Sequence, residues 1–498
     1  MQAALLRRSA AIPRVKVVGG GLAGLSAAVA LGSAGFQVDL HESRPFLGGR
    51  ATSFPLDPSD PDSERIDNCQ HVLLRCFTNL LDFYERIGVA DKITFYDRFY
   101  YVRPGGAVDV LKRGWLPAPL HLAGSLLRFG ALDLSDKWSI IRGLLALKRD
   151  ADRTDLEAIT MGNWLRSERA TDTSYQRFWH PILVSALNEE PDRAAASWAF
   201  QVFLDGMMAD STSYEMGVPS VPLAELYSSG KGLAPNVRTH TRSTIERIDP
   251  ESNEADFYIC ALPFERAASV LPDLDLRLDR FEHSPITGIH LWYDRPITEL
   301  PHAVLLDRTL QWIFRKSDTY VQAVVSASRS LTGLARGRII ELACKEIREF
   351  FPAAKTAKLM RSHVIKEVRA TYSSRPGLQA DRPGTETKHR NLFLAGDWTN
   401  TGWPPTMEGA VRSGYRAAEC VCRTAGFDAA FLRKRPETSI DTTTDTSEAA
   451  GPKRLRVKSP SGQLEQRLYD TRRVPLRLFG RALSRHCLFD HFDISPSA

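Results

Sequence analysis

The sequence predicts an α/β fold in which an α+β domain interrupts a Rossmann-like domain. Two observations favour this fold class. First, a β-branched run at residues 15–18 turns through three glycines into an alanine-rich segment, and an apolar strand follows at residues 37–41. Second, two more buried-looking strands, at residues 257–263 and 391–397, come only after long intervals. Strand, helix and strand in succession favour a parallel sheet, and the long intervals predict a second domain between its pieces.

Length and composition fit an ordinary globular protein and indicate no function. The 498 residues are 43% hydrophobic and 25% charged, which suffices for two or three domains with full-sized cores. The formal net charge is +6, but ten basic residues against two acidic ones fall within residues 451–485. This tail either lies on anionic lipid or is a solvated extension, and nucleic acid is not expected because aromatic stacking residues are few there.

The seven cysteines predict neither disulfides nor a metal site. Their number is odd, they are scattered, and none forms a CxxC or Cys/His ligand spacing. Reduced thiols in a cytosolic chain are therefore expected. The first 13 residues contain two arginines but no apolar run and cleavage site, so we expect no signal peptide. The predicted location is cytoplasmic, either free or peripheral on the cytoplasmic membrane face.

The first strand and helix carry Gly19-x-Gly21-x-x-Gly24, the spacing of a dinucleotide-binding turn. Gly19 permits the tight turn, Gly21 lets backbone N–H groups approach a pyrophosphate, and Gly24 lets helix and strand pack closely. Residues 17–38 are uncharged, but six glycines favour a phosphate cradle at a helix N-terminus over a membrane span. Glu42, which ends the second strand, is placed to accept hydrogen bonds from a ribose diol. The predicted cofactor-binding residues here are Gly19, Gly21, Leu22, Ala23, Gly24 and Glu42.

Two further motifs identify the dinucleotide. A Gly-Gly-Arg run at residues 48–50 resembles the second dinucleotide motif of the glutathione-reductase-like flavoproteins, which plain NAD domains lack. In that family the arginine lies near the FAD phosphates. The apolar strand at residues 391–397 ends in Gly-Asp, the pattern by which such flavoproteins bring a carboxylate to the ribityl hydroxyls. The resemblance predicts, as cofactor-binding residues, Arg44, Gly49, Arg50, Gly396 and Asp397.

The chain after this strand predicts the start of a helix that faces the flavin. Two prolines precede small residues, and the N–H groups near Met407 and Glu408 would face the flavin pyrimidine oxygens. Ile245 matches the place where these flavoproteins read the adenine. We expect non-covalent FAD, because no cysteine lies within residues 397–408, where covalently flavinylated relatives such as monoamine oxidases carry theirs. The predicted fold class is thus an FAD-binding Rossmann-like domain of the glutathione reductase type with an inserted α+β substrate domain.

The intervals between these pieces define the predicted domains. The first interval is largely helical by its periodicity, whereas the second has strand patterns at residues 283–297 and 320–326 and a helix pattern at residues 338–351. We expect a sheet floor that faces the flavin, with helices over it. The predicted boundaries assign residues 14–100, 236–275 and 381–430 to the FAD-binding domain, residues 101–235 and 276–380 to the substrate domain, and residues 431–498 to a linker and basic tail, disordered or on a membrane surface.

Residues 114–134 are mostly apolar and carry a single formal cation, Arg128, before the closing Asp133, and basic residues flank them. The segment either dips into a membrane interface to admit an apolar substrate or forms helices buried within the substrate domain. Its two prolines argue against a spanning helix.

Four runs indicate a narrower family. Residues 67–74, 178–188, 217–223 and 395–414 resemble the squalene-associated FAD-dependent desaturases, better defined as hydroxysqualene dehydroxylases, within the amine oxidase and phytoene desaturase-like flavoprotein superfamily. The resemblance covers nearly all of residues 15–420. It implies that a reduced flavin removes the hydroxyl of hydroxysqualene to give squalene for hopanoid synthesis. The implied partners are an apolar isoprenoid substrate and an electron donor that the sequence leaves unidentified.

The implied reaction needs an acid, because hydroxide is a poor leaving group. His71 and Asp67 are the predicted catalytic residues, and the alternative for His71 is a flavin-positioning or helix-capping role. Trp179, Tyr372 and Trp403 are predicted to line an apolar tunnel and to stabilise positive charge on the allylic carbons through their ring faces. Ordinary core packing is the alternative for each of these three.

Three other functions stay open at this point. A phytoene or squalene-type polyprene desaturase would use the same fold to oxidise its substrate instead of reducing it. An amine oxidase is disfavoured because the covalent cysteine is missing. A flavin-free prenyl-binding escort protein shares the fold, but Glu42 and the pair Gly396 and Asp397 argue against it.

Overall fold

The structure is a computed structural model that describes residues 12–60, 63–227 and 232–433. The chain divides into two units, residues 1–440 and 441–498, and the whole of the second lies outside the described residues. The expectations for the first 11 residues and for the tail beyond residue 433 therefore concern residues that the structure does not describe.

The described residues form seventeen strands and thirteen α-helices. The strands are β1 Arg14–Val18, β2 Gln37–His41, β3 Ser53–Pro55, β4 Arg65–Asp67, β5 Leu73–Leu74, β6 Ile93–Tyr96, β7 Arg98–Val102, β8 Val108–Lys112, β9 Met216–Pro219, β10 Val237–His240, β11 Phe257–Cys260, β12 His283–Tyr293, β13 His302–Leu305, β14 Trp312–Arg315, β15 Tyr320–Ser326, β16 Leu359–Tyr372 and β17 Leu392–Leu394. The helices are α1 Leu22–Ser33, α2 Thr78–Arg86, α3 Ala123–Leu127, α4 Leu134–Arg149, α5 Met161–Ser167, α6 Asp172–Ser174, α7 His180–Leu187, α8 Ala196–Gln201, α9 Leu223–Tyr227, α10 Phe264–Val270, α11 Arg329–Thr332, α12 Arg336–Phe350 and α13 Met407–Thr424. Two π-helical segments also occur, at Tyr175–Trp179 and Val202–Met207.

The first sheet is parallel and five-stranded, in the order β10-β2-β1-β11-β17. Its strands come from distant parts of the chain, and the sheet confirms the predicted Rossmann-like fold class. The alanine-rich α1 packs against α13, and every α1 residue except the last is buried, which explains why this stretch carries no charge. The carboxyl ends of β1, β2, β11 and β17 meet at one edge of the sheet, where the predicted cofactor motifs follow them.

The second sheet has seven strands in the order β16-β12-β15-β14-β13-β7-β8, and it is antiparallel except where β13 pairs with β7. β15 spans the predicted residues, and α12 lies within two residues of its predicted bounds. β12 ends at Tyr293 instead of residue 297, because Pro296 has no N–H for the ladder. β7 crosses the predicted boundary at 100/101, so β7 and β8 add two strands to the interval that we predict as largely helical.

Residues 114–134 form a loop, the short helix α3 and the approach to α4. Their inward side is buried at His121, Leu126 and Phe129, but Trp115 is 91% exposed. The segment is therefore buried on one side only, so the alternative of helices buried within the substrate domain describes its inner side alone. Across the described part of the chain, no helix is both long and apolar enough to cross a bilayer.

Candidate active site

A cavity of about 800 Å³ lies at the carboxyl ends of the parallel strands. This is the edge at which parallel α/β sheets bind their ligands. From there the cavity continues along the second sheet, where Val304, Trp312 and Val324 line it. The wall residues that follow β1, β2, β11 and β17 include Gly19, Glu42, Ala261 and Gly396.

The glycine turn after β1 is shaped for close approach of chain and ligand. Gly19 has a φ of +112°, and a Cβ there would lie 2.6 Å from the Ala261 carbonyl oxygen. A Cβ on Gly24 would lie 1.8 Å from the Gly19 carbonyl oxygen, so only glycine lets α1 pack this closely against the turn. A Cβ on Gly21 would meet no atom closer than 3.9 Å, because Gly21 borders the cavity. A side chain at Gly21 would therefore take space from a ligand, not from the protein.

Glu42 lies at the cavity and joins the end of β2 to the glycine turn. One carboxylate oxygen accepts a hydrogen bond from the N–H of Gly20 at 2.8 Å, and the other accepts one from the N–H of Arg44 at 2.8 Å. These bonds orient the carboxylate and leave lone pairs for the hydroxyls of a ligand. Arg44 also lines the cavity, with its guanidinium 5.8 Å from the ring centre of Phe46.

The Gly-Gly-Arg run and the Gly-Asp strand end form one part of the wall. Arg50 donates to both carboxylate oxygens of Asp397, at 3.0 and 2.9 Å. Gly49 and Gly396 have φ values of +65° and +140°, which turn the chain at these two points. All four residues line the cavity, so two motifs that the sequence separates widely are brought together.

The amino-terminal end of α13 borders the cavity through Met407, and Ile245 also lines the cavity. Glu408 does not reach it. The carboxylate of Glu408 is fully buried and accepts hydrogen bonds from the Asn79 amide and the Leu80 N–H, both at 2.8 Å. Burial raises the pKa of Glu408. A step of about 100° per residue turns the Glu408 side chain away from the cavity and toward the start of α2. A cofactor contact of Glu408 could therefore come only from its backbone N–H, and the contact of this N–H with the flavin stays a prediction.

Asp67 is buried and lies behind the cavity wall. Its carboxylate accepts hydrogen bonds from the Ser53 hydroxyl at 2.8 Å, the Leu223 N–H at 3.0 Å and the Lys316 ammonium at 3.0 Å. These bonds join β4 to β3, to α9 and to the residue after β14. The prediction of a catalytic Asp67 is therefore wrong, because the carboxylate is an internal anchor whose partners are protein groups.

His71 lies on the cavity wall, in the loop between β4 and β5 and not directly before a helix. Its Nδ1 is 2.9 Å from the carbonyl oxygen of Cys69, so the neutral ring carries its proton on Nδ1 and presents Nε2 as an acceptor. Burial lowers the pKa of His71. The neutral ring can therefore hold a hydroxyl through Nε2, and it becomes an acid after it takes a proton there.

Of the three aromatic residues predicted to line the substrate tunnel, only Trp403 lies on the cavity wall. Trp179 is fully buried, with its ring 4.8 Å from that of Phe203. Tyr372 is 1% exposed, and the Arg382 guanidinium lies 5.6 Å from its ring centre. The tunnel role is wrong for Trp179 and Tyr372, which are core residues.

The apolar end of the cavity consists mostly of residues that the sequence does not predict for it. They come from β7, β13, β14, β15 and the second π-helical segment, so only the order of the strands brings them together. One signal is nevertheless present, because strand alternation along β15 places Val324 and Ser326 on one face. The apolar lining residues from these five elements include Phe99, Tyr101, Met207, Val304, Trp312 and Val324.

The wall beside the parallel sheet fits the predicted FAD. Leu22 and Ala23 border the cavity at the start of α1, where N–H groups have no partner within the helix and favour an anion. Glu42 and Asp397 add two carboxylates to the cavity lining, and these are the groups that the sequence predicts as acceptors for the sugar hydroxyls of the cofactor. A volume of about 800 Å³ lies within the usual range for ligand pockets, roughly 300–1,000 Å³.

Comparison with known proteins identifies the family. Residues 22–422 match the family described as flavin containing amine oxidoreductase. The hydroxysqualene dehydroxylase of Rhodopseudomonas palustris is 29% identical over 435 residues, covering 82% of this chain and 98% of that protein. The chloroplastic/chromoplastic zeta-carotene desaturase of Zea mays is 26% identical and covers 85% of each chain.

A solved structure shares the fold. Cyclohexylamine oxidase from Brevibacterium oxydans superimposes with a TM-score of 0.60 at 16% identity, over 83% of this chain and 100% of that one. The family match agrees with the parallel sheet and with the cavity at its edge. This chain therefore belongs to the flavin containing amine oxidoreductase family and is an FAD-dependent oxidoreductase.

Proposed function

We propose that this oxidoreductase acts on a C30 isoprenoid and removes the hydroxyl of hydroxysqualene to give squalene for hopanoid synthesis. The relative from Rhodopseudomonas palustris supports this substrate, since the match spans 98% of that protein. The observation that carries the proposal is the apolar compartment that adjoins the cofactor wall, with His71 on the same cavity. Such a compartment suits a long hydrocarbon that bears a single hydroxyl.

The apolar compartment keeps water away from the reacting carbon. Trp312 donates its one N–H to the Ser185 hydroxyl at 2.6 Å, so the ring offers the cavity an apolar surface. Trp403 also lines the cavity, in the stretch of chain between Asp397 and α13. The π faces of such rings stabilise positive charge, which develops on an allylic carbon as the hydroxyl leaves.

The reaction balances with one hydride and one proton. When it is bound and reduced, FAD supplies the hydride. The carbon–oxygen bond breaks, a carbon–hydrogen bond forms, and the oxygen leaves as water after it has taken the proton. The contribution of this chain is to bind the hydrocarbon, exclude water and deliver that proton.

His71 is the wall residue suited to proton delivery. Protonated on Nε2, it gives the proton to the departing hydroxyl, while its Nδ1–H bond to Cys69 keeps the ring oriented. Because burial lowers the pKa of His71, its protonated ring is a stronger acid than an exposed imidazolium and is scarce at neutral pH. The sequence also leaves a positioning role open for His71. The same geometry allows it, because the unprotonated Nε2 of the neutral ring can accept a hydrogen bond from the substrate hydroxyl.

Polyprene desaturation is the second candidate, and the match to the zeta-carotene desaturase of Zea mays favours it. That reaction takes hydride from the substrate and needs a base in place of an acid. The apolar compartment suits both reactions, so the direction of hydride transfer distinguishes them.

Product analysis tests the proposal. The purified protein is incubated without oxygen, once reduced by dithionite and once oxidised, with hydroxysqualene, squalene, phytoene or zeta-carotene. We expect the reduced protein to form squalene from hydroxysqualene. The oxidised protein, and dithionite without protein, should form none. A more unsaturated polyprene formed by the oxidised protein would select desaturation. Peroxide release from amines in air would select amine oxidation.

A further inference from the structure

Large apolar side chains are concentrated on the surface of one segment. Half of the twelve large hydrophobic side chains that are exposed in the described residues fall within residues 115–145, each 57% to 91% exposed. Single exposed hydrophobic residues are normal, but a cluster marks a contact surface. We define this cluster as the apolar patch, formed by Trp115, Leu120, Leu127, Leu134, Trp138 and Leu145.

Helix α4 carries half of the patch along one stripe. Leu134, Trp138 and Leu145 follow one another at spacings of four and seven residues, which places them on one side of the helix. The opposite side holds the buried Ile140 and Leu147. The helix is thus apolar on the inside, as packing requires, and also along a stripe on the outside.

Hydrogen bonds connect α4 to α3 and to the loop before it. Lys137 donates to the carbonyl oxygen of Leu127 at 2.9 Å, and the Ser125 hydroxyl donates to the carbonyl oxygen of Lys112 at 2.7 Å. The N–H of Gly114 donates to the His121 carbonyl oxygen at 2.6 Å and closes the loop that bears Trp115 and Leu120. The patch is therefore built on one connected piece of structure.

The charge around the patch is positive. Residues 112–148 contain six basic residues and two acidic ones, a net charge of +4. The two acids, Asp133 and Asp136, form the reciprocal cap of α4, with bonds of 2.8 and 3.1 Å. Exposed basic side chains flank or interrupt the patch at Lys112, Arg113, Arg128 and Lys148.

Exposed tryptophans and leucines with a basic rim are the composition of a surface that lies in the headgroup region of a membrane. We propose that the apolar patch is the surface by which this protein docks on an anionic lipid bilayer. A second copy of the chain would place this positive charge against itself, whereas anionic headgroups neutralise it.

The inner side of the same segment packs on the cavity wall. The Phe129 ring lies 5.0 Å from that of Tyr101, and the His121 ring lies 5.4 Å from that of Tyr214, which in turn lies 6.1 Å from Phe99. Tyr101 and Phe99 line the apolar end of the cavity. A bilayer docked on the patch would lie beside that end and supply an apolar substrate to it. This delivery role rests on the proposed function, whereas the docking does not.

Vesicle flotation of the full-length protein tests the docking. The probe is a vesicle of phosphatidylglycerol and phosphatidylcholine in equal parts, compared with phosphatidylcholine alone. We expect the wild type to bind the anionic vesicles more strongly, and Trp115→Ser/Trp138→Ser to bind them roughly tenfold less or weaker still. The matched control is Met360→Ser/Val368→Ser, which removes two exposed apolar side chains from β16 and should bind like the wild type.

A conservative variant tests whether the two tryptophan side chains enter the bilayer or whether the protein only adheres to the vesicle surface. Trp115→Phe/Trp138→Phe keeps the apolar surface, so it should bind vesicles but lose much of the tryptophan quenching by brominated lipid. Turnover of detergent-dispersed substrate should be unchanged in both tryptophan variants, so a failure of the proposed function and a failure of docking are read separately.

Three results would overturn the proposal. The first is that the wild type does not bind anionic vesicles. The second is that Trp115→Ser/Trp138→Ser binds them as strongly as the wild type, which would assign binding to another surface such as the basic tail. The third is a lipid-free dimer that the same substitutions convert to a monomer, because a second copy would then cover the patch.

Discussion

Arg50 holds both carboxylate oxygens of Asp397 with one guanidinium nitrogen, at 3.0 and 2.9 Å, although 347 positions separate the two residues in the chain. The Asp397 side chain is 9% exposed and that of Arg50 is 37% exposed, and both line the cavity. The pair joins the two motifs from which the sequence predicts FAD. An oriented carboxylate at this point is what a ribityl hydroxyl needs as an acceptor.

Replacing Asp397 by asparagine should weaken FAD binding more than folding. The change removes the charge that orients Arg50, and a hydrogen bond to a charged group contributes about 1.5–3 kcal/mol, so we expect a roughly 10- to 100-fold rise in the Kd for FAD. Flavin fluorescence titration of the flavin-free protein measures it. Asp273→Asn, which breaks the exposed pair of Asp273 with Arg247, should leave the Kd unchanged. Equal Kd values in the two variants would contradict a cofactor role for Asp397.

Two glycines in the same turn should respond differently to alanine. In Gly21→Ala the new Cβ meets no atom within 3.9 Å, so the protein should keep its Tm without flavin but bind FAD at least about tenfold more weakly. In Gly24→Ala the Cβ would lie 1.8 Å from a backbone oxygen, so folding itself should suffer. Gly333→Ala, with no atom within 4 Å, is the neutral control. Full FAD affinity in Gly21→Ala would show that the phosphates do not lie there.

The rate of squalene formation should rise as the pH falls. Burial lowers the pKa of His71, with Asp67, Arg50 and Glu367 as its charged neighbours, so the protonated ring is scarce above pH 6.5 and increases roughly tenfold per pH unit on the way down. The rate should therefore keep rising as the pH drops through 6.5. His71→Gln should lower the rate by about 100-fold or more and flatten this profile, while His363→Gln should keep it. A wild-type rate that is level from pH 8 to pH 6, or His71→Gln with the same slope, would rule out the acid role.

Two tryptophans distinguish the cavity wall from the core. Trp403→Leu should lower kcat/KM by roughly tenfold because it removes a π face from the cavity wall, and it should cost less stability than a change at Trp179 because Trp403 borders the cavity. Trp179→Leu should lower the free energy of unfolding by about 2–4 kcal/mol through a buried void, with kcat/KM unchanged in the folded fraction. Thermal unfolding and steady-state kinetics on both variants measure these effects. Reversed effects would mean that the two residues have been assigned to the wrong places.

The parts of the fold that rest on local chemistry could be predicted from sequence. Gly19 is required for the tight turn after β1, and Gly24 for the close packing of α1 against that turn. Both roles follow from the Gly-x-Gly-x-x-Gly spacing alone. The alternation of β15 and the period of α12 likewise locate these elements without knowledge of their neighbours. The sequence does not predict that β7 and β8 belong to the second sheet, because only the pairing of β7 with β13 joins them to it, and β13 lies about 200 residues further along the chain.

At the site, the sequence locates each element but does not show which side of the element a given side chain faces. Met407 faces the cavity, whereas the side chain of its neighbour Glu408 faces the start of α2. In the same way, Asn68 faces the cavity, whereas its neighbour Asp67 anchors β4. Which side is inward depends on what packs against it. Trp179 ends a π-helical segment, whose altered period hides the direction of the ring from a helical pattern.

The most direct test of the account is a single turnover followed by flavin absorbance. Protein reduced without oxygen is mixed with hydroxysqualene, or with squalene as the control, while the oxidised flavin band is recorded and the products are quantified. Hydroxysqualene should restore the oxidised band and yield squalene in an amount equal to the flavin, whereas squalene should leave the band bleached. A reduced protein that binds hydroxysqualene but stays bleached would contradict it.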